Sequence, residues 1–88
     1  MTRTVRFEAS AIRTLDRLPE KIAAAVVEFC TVTLPTNPER MSKPLQGELE
    51  GLRSARRGDY RVLFRLGHDG TLAVIRVAHR ADAYGHHG

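Results

Sequence analysis

Arg53-Ser54-Ala55-Arg56-Arg57-Gly58-Asp59-Tyr60-Arg61-Val62-Leu63-Phe64-Arg65-Leu66 is the stretch that decides the fold of this chain. Gly58-Asp59 separates two runs that suit β-strands, and a two-residue connection containing glycine is a strong local hairpin signal. A second signal, Asp69-Gly70, leads from Leu66 into residues 71–78. Together they predict a three-stranded antiparallel meander. Strict alternation then assigns faces. In the middle strand Tyr60, Val62 and Phe64 point one way, and Arg61, Leu63 and Arg65 the other. In the last strand Ala73, Ile75 and Val77 share one face, and Leu72, Val74 and Arg76 the opposite one. One face packs on helices; the other presents arginines among Leu63, Leu72 and Val74. Apolar groups mixed with charge on an open face suggest a protein partner as well as an anionic one.

Upstream of the meander, Thr4-Val5-Arg6-Phe7 alternates with period two and predicts a strand. Ala11, Ile12, Leu15 and Leu18 recur at helical spacing, with Arg13, Asp16 and Arg17 facing water. Pro19 interrupts that helix and opens a second one, because proline is tolerated in a first turn and Glu20 suits the positive helix end. Ile22, Val26, Phe29 and Thr33 form its apolar stripe, flanked by Ala23, Val27, Cys30 and Leu34. Pro35-Thr36-Asn37-Pro38 ends it and starts a loop over residues 35–45. Residues 45–51 read as a turn into the sheet. The expectation is a single α+β domain over residues 1–88: an N-terminal strand, a two-helix hairpin, then the antiparallel meander.

Charge is distributed unevenly. Residues 1–50 carry seven Lys/Arg and seven Asp/Glu, whereas residues 51–88 carry seven arginines against only Asp59, Asp69 and Asp82, which accounts for the net charge of +4. A sheet studded with guanidinium groups suits phosphate, because the planar fork matches phosphate geometry and stays charged at any physiological pH. Cys30 stands alone, so no internal disulfide is available, and its apolar surroundings mark it as a core residue. The N-terminal residues lack a signal-peptide pattern and the longest apolar run, Ile22 to Val27, is far too short for a membrane span. The expected location is the cytoplasm.

The sequence contains no glycine-rich phosphate loop, no nucleophile elbow, no carboxylate pair placed for acid–base work, and no convincing ligand set among His68, His79, His86 and His87. Neither a metal nor a cofactor is expected. Any chemistry must run on Arg, His and Tyr. Cleavage of RNA fits that restriction, since the 2′-hydroxyl itself attacks the adjacent phosphorus once it is positioned. Arginines on the phosphate would stabilise the developing charge, an effect worth about 10²–10³ in rate for a single donor. An aromatic side chain such as Tyr84 stacks on single-stranded bases.

Gly58-Asp59-Tyr60-Arg61-Val62-Leu63-Phe64-Arg65 followed by Ile75-Arg76-Val77-Ala78-His79-Arg80-Ala81-Asp82-Ala83-Tyr84 resembles the RelE/ParE toxin superfamily. Val5-Arg6-Phe7, Leu18-Pro19 and Lys43-Pro44-Leu45 fit the same pattern. The resemblance implies a toxin of a type II toxin–antitoxin pair and, on its RelE branch, a ribosome-dependent, metal-free mRNA endonuclease restrained by an acidic, RelB-like antitoxin. It assigns Arg61 to the scissile phosphate, Arg80 to phosphate stabilisation or leaving-group protonation, and Tyr84 to base stacking. Lys43, Arg53, Arg56 and Arg57 are the expected contacts to RNA and ribosome, and Leu63, Leu72 and Val74 those to the antitoxin. The pattern's strand lysines are absent, their places falling near Arg53 and Ala55, which leaves the proposed base missing or replaced by His79. The competing readings are a ParE-like inhibitor of DNA gyrase that cuts nothing, and an RNA-binding module without activity.

Overall fold

The structure, a computed structural model, describes residues 3–79. Chain order is β1 (Val5–Phe7), α1 (Ala9–Asp16), α2 (Glu20–Glu28), β2 (Ser42–Pro44), β3 (Arg53–Arg57), β4 (Tyr60–Leu66) and β5 (Leu72–His79). The five strands form one sheet in the order β1-β5-β4-β3-β2, with β1 parallel to β5 and every other pair antiparallel. The α+β architecture and the meander follow the sequence expectation. Both hairpins turn where expected, and Gly58 and Gly70 adopt positive φ of 61° and 87°, a region that glycine enters without steric cost. The loop expected over residues 35–45 differs: it contains β2, which pairs Ser42 with Ala55 and Pro44 with Arg53. A three-residue edge strand ending in proline carries almost no periodic signal, and proline is tolerated there because an edge leaves one side of the ladder unpaired.

Pro19 stands at the N-cap of α2, with Glu20 in the first turn. The helix then loosens into a π turn over Phe29–Thr33 and tightens into a 3₁₀ turn over Leu34–Thr36. Pro35 has no N–H to donate to a continuing α-helix, so the chain leaves the helix here. Both helices cover one face of the sheet. Val26, Cys30 and Leu34 from the α2 region and Ala11 from α1 meet Ala55, Val62, Phe64, Leu72, Val74 and Val77 in the core. Burial raises the Cys30 thiol to a pKa of about 12, in keeping with a core residue.

The last strand departs from strict alternation. Leu63 pairs with Arg76 and the next residue, Phe64, pairs with Val74, so Ile75 is an extra residue in β5. This β-bulge shifts the phase of the strand by one position. Leu72 and Val74, on one side of it, and Val77, on the other, therefore all face the helices. Residues Leu72 and Val74 were expected on the open face; both are fully buried in the core instead. Helix α1 satisfies the backbone groups that the bulge displaces. Ser10 Oγ donates to the Ile75 carbonyl at 2.6 Å, and the Val77 N–H donates to Thr14 Oγ1 at 3.1 Å. The helix thus holds the strand in its shifted phase.

Candidate nucleic-acid interface

Residues paired directly across strands share a face of the sheet. Three rows can be followed across the face that the helices leave open. The first joins Arg56 to Arg61 and Ala78; the second joins Lys43 to Ser54, Leu63 and Arg76; the third joins Arg65 to Ala73 and Arg6. Strands β3, β4 and β5 contain no Asp or Glu. Arg61 thus has another arginine directly opposite and Arg76 on the neighbouring diagonal. Like charges set this way destabilise a sheet. Such an array is relieved by an anion.

Arg61 is half-buried, and its Nε is enclosed with no hydrogen-bond partner among the described residues. A buried donor without an acceptor costs about 1–3 kcal/mol, so the chain holds this guanidinium at a loss. Leu63 lies beside it on the same strand face and is only 3% exposed. Its place on the open face matches the expectation, but it offers little bare surface. Together these residues make a basic face in which Leu63 lies between the arginine rows.

The other expected site residues divide. Arg56 and Lys43 are exposed and lie on the Arg61 face. Arg57 pairs with Tyr60 on the helix side, where it lines a shallow cleft with Ile22 and Val26. Arg53 also lies on the helix side and acts as a brace. Its Nε donates to Ser42 Oγ at 2.7 Å and its Nη2 to the carbonyls of Glu39 and Ser42 at 3.2 and 3.3 Å. Because β3 alternates, Arg53, Arg56 and Arg57 do not share one face, and of the three Arg56 lies with Arg61. His79 pairs with Tyr60, their rings meeting edge to face at 5.4 Å. That pairing sets His79 on the helix side of the sheet, whereas Arg61 lies on the open face. Arg80 and Tyr84 lie outside the described residues.

No group of three or more His, Cys, Asp or Glu side chains that could hold a metal ion occurs among the described residues. None of the described helices is long and apolar enough to cross a membrane. What the open face offers chemically is fixed positive charge: guanidinium groups that bind and polarise phosphate without exchanging protons at neutral pH.

A family model described as the ParE toxin of type II toxin–antitoxin systems, parDE, matches residues 5–84. The chain belongs to this toxin family. Two relatives from Mycobacterium tuberculosis (strain ATCC 25618 / H37Rv) carry the names Toxin RelE and Toxin RelG. The first is 52% identical over 82 residues, covering 91% of this toxin and 84% of the relative. The second is 53% identical over 85 residues, covering 96% and 98%. Among solved structures, the RelBE2 toxin–antitoxin complex of Mycobacterium tuberculosis has a chain 48% identical to this toxin, with a TM-score of 0.86 and coverage of 91% and 100%. The free Escherichia coli RelE toxin, in a mutant form, shares the fold at 16% identity and a TM-score of 0.73, with coverage of 96% and 90%. Sheet order and helix placement are thus those of the RelE-like toxins.

Proposed function

We propose that this toxin is a metal-free endonuclease that cuts messenger RNA on the ribosome and is silenced by an acidic antitoxin lying over its arginine face. The observation that carries the reading is the enclosed Nε of Arg61, which has no partner among the described residues, on an open face where β3, β4 and β5 bring arginines and no carboxylate. In the proposed reaction Arg61 grips the non-bridging oxygens of the scissile phosphate. The 2′-hydroxyl attacks phosphorus, its proton leaves to water, and the bond to the 5′ oxygen breaks. The departing oxygen takes a proton from water, and a 2′,3′-cyclic phosphate remains. Charge stabilisation by Arg61 supplies about 10²–10³ in rate. Arg80 and Tyr84 are proposed to complete the site, on phosphate and base respectively. Lys43 and Arg56, on the same face, extend the contact to RNA. Ribosome dependence fits the same picture: the described residues place no proton-transfer group on the open face beside Arg61, so the geometry of the attack would be imposed on the message from outside.

The antitoxin proposal draws on the relatives, since the RelBE2 structure is a toxin–antitoxin complex and a RelE–RelB complex from Pyrococcus horikoshii OT3 shares the fold at 27% identity with a TM-score of 0.68. An acidic segment on the arginine rows would neutralise the cluster and occupy the phosphate position. Its apolar contacts cannot include Leu72 and Val74, which lie in the core.

The test is translation of a defined message by purified ribosomes with the toxin added. The message should be cut when ribosomes are programmed with it and stay intact in their absence, and Arg61→Ala should abolish cutting while melting as a folded protein. Intact message at toxin levels that arrest growth rejects the proposal. The matching family model is named for ParE, which favours one second reading: a toxin that inhibits DNA gyrase by binding. Growth arrest with intact message and a DNA-damage response would select it.

A further inference from the structure

The third row of the open face contains a feature that the scissile-phosphate site does not use. Arg65 and Arg6 stand on either side of Ala73, two strands apart, with the small Ala73 side chain as the floor between them. They line a cavity of about 380 Å³ together with Gly67, His68, Asp69, Thr71 and Ala73. Arg65 is exposed and has no hydrogen bond or ion pair among the described residues. Arg6 is held upright by Glu8, its Nη2 donating to Oε2 at 2.8 Å. That pair is solvent-exposed, a setting in which ion pairs contribute little, so Arg6 is easily shared with a second anion. Asp69 is occupied in closing the β4–β5 turn, where its carboxylate accepts the Thr71 N–H at 2.9 Å. That hydrogen bond holds its pKa below the usual value. Arg65 and Arg6 thus flank an alanine floor within one cavity, and His68 is part of its lining.

Arg65 follows Arg61 by four residues on the same face of β4, a separation of about 13 Å at the rise of an extended strand. One phosphate cannot bridge that distance, but a single strand laid along β4 reaches both positions. We propose that the cleft between Arg65 and Arg6 is a second phosphate subsite, which holds the backbone of the same RNA strand whose scissile phosphate sits at Arg61. The inference rests on the reading of the open face as an RNA site and adds the direction in which the strand leaves it: along β4, toward the β4–β5 turn.

The probes are two fluorescent single-stranded RNAs, a trinucleotide and a twelve-residue oligonucleotide with 2′-deoxy sugars at the central positions to prevent cleavage. Binding to the full chain is followed by anisotropy over a salt series. Arg65→Ala should weaken the long RNA about five- to ten-fold at low salt, as expected for loss of one exposed charge-assisted contact. The slope of log K against log salt should become shallower by about 0.7, one phosphate contact on a single strand. The trinucleotide should be unaffected, because it does not reach from Arg61 to the cleft. Arg65→Lys should restore the slope but not the full affinity. Equal loss on both RNAs, or no loss on either, overturns the subsite while leaving the Arg61 reading intact. Binding of neither RNA by the unsubstituted toxin, or binding that Arg61→Ala leaves unchanged, overturns both.

Discussion

Replacing Arg61 with methionine should make this toxin more stable and harmless at once. The enclosed Nε has no acceptor among the described residues, and such a group costs about 1–3 kcal/mol. Arg56, directly across the strand pair, adds like-charge repulsion of about 0.2–1 kcal/mol. Methionine keeps an unbranched stem over Leu63 but removes both penalties, so the net gain should be at least about 1 kcal/mol, less whatever packing the longer arginine stem supplied. For a chain of this size that raises the melting midpoint by about 4–8 °C. Arg61→Lys separates the two contributions: it removes the orphaned donor, keeps the charge, and should fall between methionine and the unsubstituted toxin. The assay is thermal unfolding followed by circular dichroism at low ionic strength, with growth arrest scored in parallel. A midpoint for Arg61→Met at or below that of the unsubstituted toxin would refute the claim that this guanidinium is held at a cost. Loss of toxicity alone would not rescue it.

Three further outcomes follow from the packing. Leu72→Ala should cost about 2–5 kcal/mol, as a core truncation does, and unfold the domain near physiological temperature, which circular dichroism would show before any partner is added. Arg53→Ala should cost about 1–3 kcal/mol by freeing β2, and Arg53→Lys should recover little because an ammonium cannot reproduce the fork that reaches Ser42 and Glu39 together; urea titration measures both. Cys30 keeps its proton in the folded state up to a pKa of about 12, while the unfolded thiol ionises near 9.0. The unfolded state therefore binds fewer protons in that window, so the contribution of Cys30 to stability should be flat below about pH 9 and decline from there toward pH 12, with alkylation of the thiol at neutral pH proceeding only through opening of the core.

Strand positions were legible because their turns are chemical: Gly58-Asp59 and Asp69-Gly70 supply backbone conformations that few other residues adopt, and the runs between them have little alternative. Arg61 and Leu63 were placed on the correct face because β4 alternates without interruption. Leu72 and Val74 were not, since nothing in Val74-Ile75-Arg76-Val77 marks one residue as extra. The bulge is fixed by Ser10 and Thr14, more than sixty positions away. The same holds for Arg53. Its role depends on Ser42, which is on a strand too short to announce itself, and a guanidinium spent on a hydroxyl and two carbonyls looks in sequence like one waiting for RNA.

Strand β5 follows every other described element, yet it occupies an interior position in the sheet, between β1 and β4. During synthesis β1 and α1 must therefore wait, with their apolar faces uncovered, until a segment more than fifty residues downstream emerges to join them to the β3–β4 hairpin. Non-local pairing of this kind is slow, and no partial chain can close the core beforehand. The arginine rows are completed by the same event, because β5 contributes Arg76, the Ala78 opposite Arg61 and the Ala73 that joins Arg65 to Arg6. A chain interrupted before Leu72 is thus not a weaker toxin but an unfolded peptide. The capacity to bind phosphate comes into being only in a finished molecule.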